Sequence, residues 1–136
     1  MVLNGELFDI AICLETLEHV PPNLVKPYLE ELSKATNGYI FISVPNEKGL
    51  VFLFKYLIKK MFGDAESYTV TEFINATLGL MHKVKRHEHK GFDYDLLIDN
   101  ISKYFDIYKI SGIPLGLLPT SLNFSVGIIG KKRNLD

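Results

Sequence analysis

The chain has 136 residues, 47% of them hydrophobic and 23% charged, which suits one folded domain with a sizeable core and excludes a disordered chain. With 15 Lys+Arg against 16 Asp+Glu the net charge is −1, so no global field draws it to nucleic acid or to an anionic membrane, and no nucleic-acid motif is present. The lone cysteine, Cys13, cannot form an internal disulfide and points to a cytoplasmic home, while "MVLNGELFD" lacks the apolar stretch of a signal peptide.

In chain order, "FDIAICL" (Phe8–Leu14) comes first, a nearly continuous apolar run of the kind found in parallel strands covered on both faces. "PPNLVKPYLEELSKATNG" follows, with Leu24/Val25, Tyr28/Leu29, Leu32 and Ala35 at helical spacing. Pro27 fits if the main helix starts there, and Asn37-Gly38 reads as its stop. "YIFISVPN" is a second buried strand, completing a βαβ unit whose crossover is expected to be right-handed. "GLVFLFKYLIKKMF" (49–62) predicts a helix, apolar over much of its circumference and too short and too charged to span a bilayer. "TVTEFINATLG" carries Thr69 and Glu72 at capping-box spacing and Gly79 at its end. "HKVKRHEHKG" is a basic loop. In "FDYDLLIDNISKYF", Tyr94, Leu97/Ile98, Ile101 and Tyr104/Phe105 fall on one helical face behind Asp93 as N-cap. "DIYKISGIP" and "NFSVGIIGKKR" are two closing, hairpin-like strands.

That order is an α/β sheet, and ligands of such sheets sit beyond the carboxyl ends of the parallel strands. Those ends are Leu14–Glu15 and Pro45–Asn46. Glu15, Glu18 and His19 stand at i, i+3 and i+4, so one helical turn would gather a carboxylate pair and an imidazole able to hold Mg²⁺ or Zn²⁺. Alternatively His19 is a general base, its ordinary pKa of about 6.5 being suited to that task, or simply fixes the turn. Cys13 reads as a small buried hydrophobe. Pro45-Asn46 could floor an acceptor pocket or merely form a turn. His82, His87 and His89 lack metal-site spacing and read as a solvated loop. Residues 49–62, with Lys55, Lys59 and Lys60, read either as a core helix with outward lysines, as the lid of a greasy pocket, or as a membrane-surface helix.

"FDIAICLETLEHV", the helix after it, and "GYIFISVPN" together resemble the fourth strand, fourth helix and fifth strand of class I S-adenosylmethionine-dependent methyltransferases, in the subgroup of ubiquinone-type and other small-molecule enzymes. "RHEHKGFDYDLLIDNISKYFDIYKISGIP" resembles that family's approach to its sixth strand, and "NFSVGIIGKKR" its antiparallel seventh. The resemblance implies an α/β fold that is the second half (strands 4, 5, 6 and antiparallel 7) of a Rossmann-like seven-stranded sheet. It also implies S-adenosylmethionine as cofactor, with Cys13, Leu14 and Glu15 beside its methionine end. Glu15 and His19 would lie at the reacting centre, and a small apolar acceptor would be methylated. Some relatives bind metal at the same E-x-x-E-H turn, which would involve Glu15, Glu18 and His19, and the family often has a histidine near the acceptor, matched by His89. Residues 1–136 are then one methyltransferase-like domain, with 47–90 as a variable acceptor or lid insertion.

The family's Gly-rich turn and the first three strand–helix units have no counterpart in these residues. The expectation is a truncated carboxy-terminal half whose first strand is left as an edge. It would be completed by a partner chain or by homo-oligomerisation; alternatively it is an inactive, methyltransferase-derived subunit that binds a partner through that edge.

Overall fold

The computed structural model describes residues 6–63, 65–87 and 90–133. Four strands, β1 (Phe8–Leu14), β2 (Thr36–Pro45), β3 (Phe105–Ile113) and β4 (Ser125–Lys132), form one mixed sheet in the order β1-β2-β4-β3. β1 and β2 run parallel, joined by α1 (Pro22–Ala35). β4 lies between β2 and β3 and is antiparallel to both. α2 (Gly49–Phe62), α3 (Val70–Thr77) and α4 (Tyr94–Ile101) fill the interval before β3. The predicted order of elements is therefore observed, as is the hairpin-like pairing of the last two strands.

The main core lies on one face of the sheet. Pleating sends Cys13, Ile40, Ile42, Val44, Val126 and Ile128 to that side, where Leu29 of α1 and Leu97 and Ile101 of α4 cover them. Phe105 is fully buried, but as the first residue of β3 and not on the face of α4, which ends at Ile101. On the other face of β1, Ile10, Ile12 and Leu14 are exposed, and Tyr39 of β2 beside them is too. The expectation of a strand covered on both faces thus fails for β1, which is covered on one face and is an edge of the sheet.

Two other local expectations are corrected. α1 starts at Pro22, at the first helical position, and Pro27 lies within it. The residue four back from Pro27, whose carbonyl loses its intrahelical partner, is the exposed Asn23. Asn37-Gly38 does not cap α1 but belongs to β2, and Gly38 serves a different need. A Cβ there would lie 2.1 Å from the backbone oxygen of Asp9, at the point where the β1–β2 register shifts. Glycine is required by close approach of two strands, not by a left-handed turn.

A second, smaller core occupies the predicted insertion. Phe52 of α2, Ala76 of α3, Met81 and Val84 are buried there, with Tyr56, Tyr68 and Phe73 packed around Phe52. The capping box at the start of α3 is present: Thr69 Oγ1 accepts from the Glu72 backbone N–H, and Glu72 accepts from the Thr69 N–H. Glu72 also takes Lys90 at 2.9 Å. The Lys90 bond first and the capping bonds next hold the Glu72 carboxyl down at about 2. A carboxyl depressed in the folded state stabilises it above the unfolded pKa and loses that contribution as pH falls toward the folded one. Chemical denaturation at a series of pH values should show stability declining from about pH 5 to pH 2. The decline should be shallower in Glu72→Gln, and an identical slope in the variant would refute the assignment.

Candidate functional site

The carboxyl ends of β1 and β2 are tied by two bonds. The Glu15 N–H donates to the Ser43 carbonyl at 2.9 Å, and Ser43 Oγ donates to the Glu15 carboxylate at 2.9 Å. Glu15 holds φ at 45°, the only left-handed non-glycine residue among those described. A side chain in that region costs about 1–2 kcal/mol, and such strain is found preferentially at functional sites. Its consequence is a sharp bend: the chain leaves β1, Thr16 Oγ1 folds back onto the Leu14 carbonyl, and a single 3₁₀ turn follows at Leu17–His19.

The bend gives different surroundings to the three residues whose spacing suggested one ligand set. Glu15 stays exposed at the rim, Glu18 turns inward to 1% exposure, and the His19 side chain is 55% exposed with Nε2 3.8 Å from the Glu18 carboxylate. Among the described residues no group of three His, Cys, Asp or Glu is arranged to hold a metal ion. The residues of the expected Glu15–Glu18–His19 site for Mg²⁺ or Zn²⁺ are thus not gathered into one ligand set in this structure. The i, i+3, i+4 rule assumes continuous helix, and a left-handed Glu15 breaks it at the first member.

Of the residues expected beside a cofactor, Leu14 and Glu15 are exposed at the strand end, whereas Cys13 is not. Its side chain points into the core, with Sγ 3.9 Å from the Tyr28 hydroxyl. Burial first, and then the neighbouring Cys13, push the Tyr28 phenol upward. Asn46 is fully buried: its amide donates to the carbonyls of Thr120 and Asn123, so it fastens β2 to the β3–β4 loop instead of flooring a pocket. His82 and His87 are exposed; His89 lies outside the described residues.

Sequence reasoning missed Ser43 and Arg86. Ser43 was visible only as a lone polar residue in an apolar strand. Arg86, within the basic loop, donates to the Glu18 carbonyl and stacks on Phe92 at 4.7 Å. Its burial lowers the guanidinium's pKa and the nearby Glu18 charge opposes that shift. No periodicity marks a half-buried arginine in a loop. Arg86 also lines a cavity of about 360 Å³ together with Pro22 and Val25 of α1, Met81, Val84 and Leu97 of α4. A second, open groove of about 520 Å³ runs between the β1 edge and α1, past Ile10, Ile12, Leu24 and Tyr28.

No protein-family model matches the chain, and no curated protein matches it. Among solved structures it is similar to magnesium protoporphyrin IX methyltransferase from Synechocystis PCC 6803, crystallised with bound SAH, at 19% identity and a TM-score of 0.45. The match covers 95% of this chain and 47% of that enzyme, so the chain spans about half its length.

Proposed function

We propose that these residues form the acceptor-side half of an S-adenosylmethionine-dependent methyltransferase acting on a small, apolar molecule. β1, β2, β3 and β4 would be the fourth, fifth, sixth and seventh strands of that fold, and a Gly-rich half would come from residues other than these. The supporting observation is the strained Glu15, locked to Ser43 and exposed where open α/β sheets bind their ligands. The resemblance of the strand–turn segment "FDIAICLETLEHV" points to the same place. Bound S-adenosylmethionine would supply an electrophilic methyl group. Leu14 and Glu15 would flank it, Glu15 fixing the strand-end geometry on which in-line alignment depends. The exposed imidazole of His19 could accept the acceptor's proton. The cavity beside Arg86 has the size and apolar lining of a small-molecule pocket, and 81–92, within or beside the 47–90 insertion, supplies half of its wall.

Calorimetric titration of S-adenosylmethionine into the purified chain tests the reading. Saturable binding supports it for these residues directly. Absence of heat from a chain with a folded circular dichroism spectrum removes unaided cofactor binding and leaves a subunit that works through a partner.

That second reading has its own observation. β1 is an edge strand with Ile10 and Ile12 exposed on one face and the 520 Å³ groove beside it, a template for strand addition by a second chain or copy. Ile12→Lys places a charge on that edge. Sedimentation should show the wild-type chain self-associating and the variant monomeric; a wild type monomeric at all concentrations removes pairing between copies.

A further inference from the structure

We infer that α2 and the β3–β4 loop together form a surface that seats on an anionic lipid bilayer. The inference is independent of the chemistry at the Glu15 rim.

Only Val51 and Phe52 of α2 are buried; Leu50, Phe54, Leu57, Ile58, Met61 and Phe62 are exposed, Met61 at 82% and Phe62 at 77%. At about 100° per residue these six fall on one side of the helix. Lys60 projects on one flank of the stripe and Lys55 and Lys59 on the other, and residues 49–62 contain no acidic side chain. This is not the pattern of a core helix, whose apolar stripe would be covered.

The stripe does not stand alone. The loop at 114–124 carries no charged residue, and it exposes Leu115, Leu118 and Leu122 and, fully, Leu117. Phe124 at its end meets Phe54 of α2 with ring centroids 6.1 Å apart, and Lys55 donates to the Phe124 carbonyl, so loop and helix are fastened together. Two segments some sixty positions apart thus contribute to one apolar surface, a feature that marks an interaction site.

Charge selects the occupant. Lys55 is paired with Glu47, and Lys59 lines the same recess as Glu47 and Glu66, leaving Lys60 as the exposed cation beside the stripe. Two copies meeting through this face would bring their Lys60 side chains together with no acid in 49–62 or 114–124 to pair them. An anionic bilayer instead accepts apolar side chains into its acyl boundary while flanking lysines reach its headgroups.

Flotation of the full chain with phosphatidylcholine vesicles, with and without phosphatidylglycerol, decides the matter. The chain should float with the mixed vesicles, several-fold less at high salt. Met61→Ser/Phe62→Ser should reduce the bound fraction about tenfold, and Leu117→Ser several-fold, both with unchanged circular dichroism because these side chains are exposed. A folded wild type that stays behind, or equal flotation by the double variant, overturns the proposal. So does a wild-type dimer that the double variant dissolves and that has no vesicle affinity.

Discussion

Asn123→Ala should lower the stability of the chain by about 3 kcal/mol, seen as a thermal midpoint about 10 °C lower. The side chain is 1% exposed and sits at the centre of the β3–β4 loop. Its Oδ1 accepts from the Leu115 N–H at 2.8 Å, and its Nδ2 lies 3.1 Å from the Leu115 and Pro119 carbonyls and 3.3 Å from that of Leu118. Alanine would strip these groups of their partner in a place where water enters poorly, each costing about 1–3 kcal/mol, less where the loop opens to solvent. Asn123→Asp discriminates the cause. It keeps the acceptor for Leu115 but turns a donor facing carbonyls into a second oxygen, so it should be at least as destabilising as alanine. An aspartate variant as stable as wild type would show that the amide does not donate there. Gly112 belongs to the same unit, because a Cβ on it would lie 2.0 Å from Asn123 Nδ2. The loop so held carries Leu117, and vesicle affinity should fall together with stability in Asn123→Ala.

The elements that could be read from the chain are those whose signal is local. Asp93 caps α4 through a bond to the Asp95 N–H, and Thr69 and Glu72 close their box, because the donors and acceptors lie within three residues of one another. Gly38 was misread because glycine answers two needs, a positive φ or a close approach, and only the neighbouring Asp9 distinguishes them. Pro27 was misplaced for a related reason: a proline inside a helix is tolerated when the orphaned carbonyl has water nearby, which the sequence does not display. The site shows the same division. That chemistry should gather at the end of β1 followed from strand order alone. Which of Glu15, Glu18 and His19 faces solvent depended on one backbone torsion at Glu15, and no spacing rule carries torsions. Arg86 became visible only when packing set it against Phe92 and the Glu18 carbonyl.

That torsion supports the most discriminating experiment on the proposed chemistry. Glu15→Gly should leave stability within about 1 kcal/mol of wild type and weaken cofactor affinity at least about tenfold. Glycine adopts φ near 45° without the penalty of a Cβ, a gain of about 1–2 kcal/mol. Against this stand loss of the bond from Ser43 Oγ, about 1 kcal/mol, and the greater freedom of glycine in the unfolded chain, about 0.4–1 kcal/mol. The terms nearly cancel, so urea denaturation should show little change. Function has no such compensation, because the carboxylate is gone and the lock between the two strand ends is reduced to the backbone bond from Glu15 to Ser43. Titration of S-adenosylmethionine into whichever assembly of the chain binds it measures the second half of the prediction. A variant that loses both stability and affinity would mark Glu15 as structural. One that keeps both would show that the strain at this position serves the bend alone. Only the split result, a stable fold with a failed site, places the cost of the left-handed glutamate on the side of function.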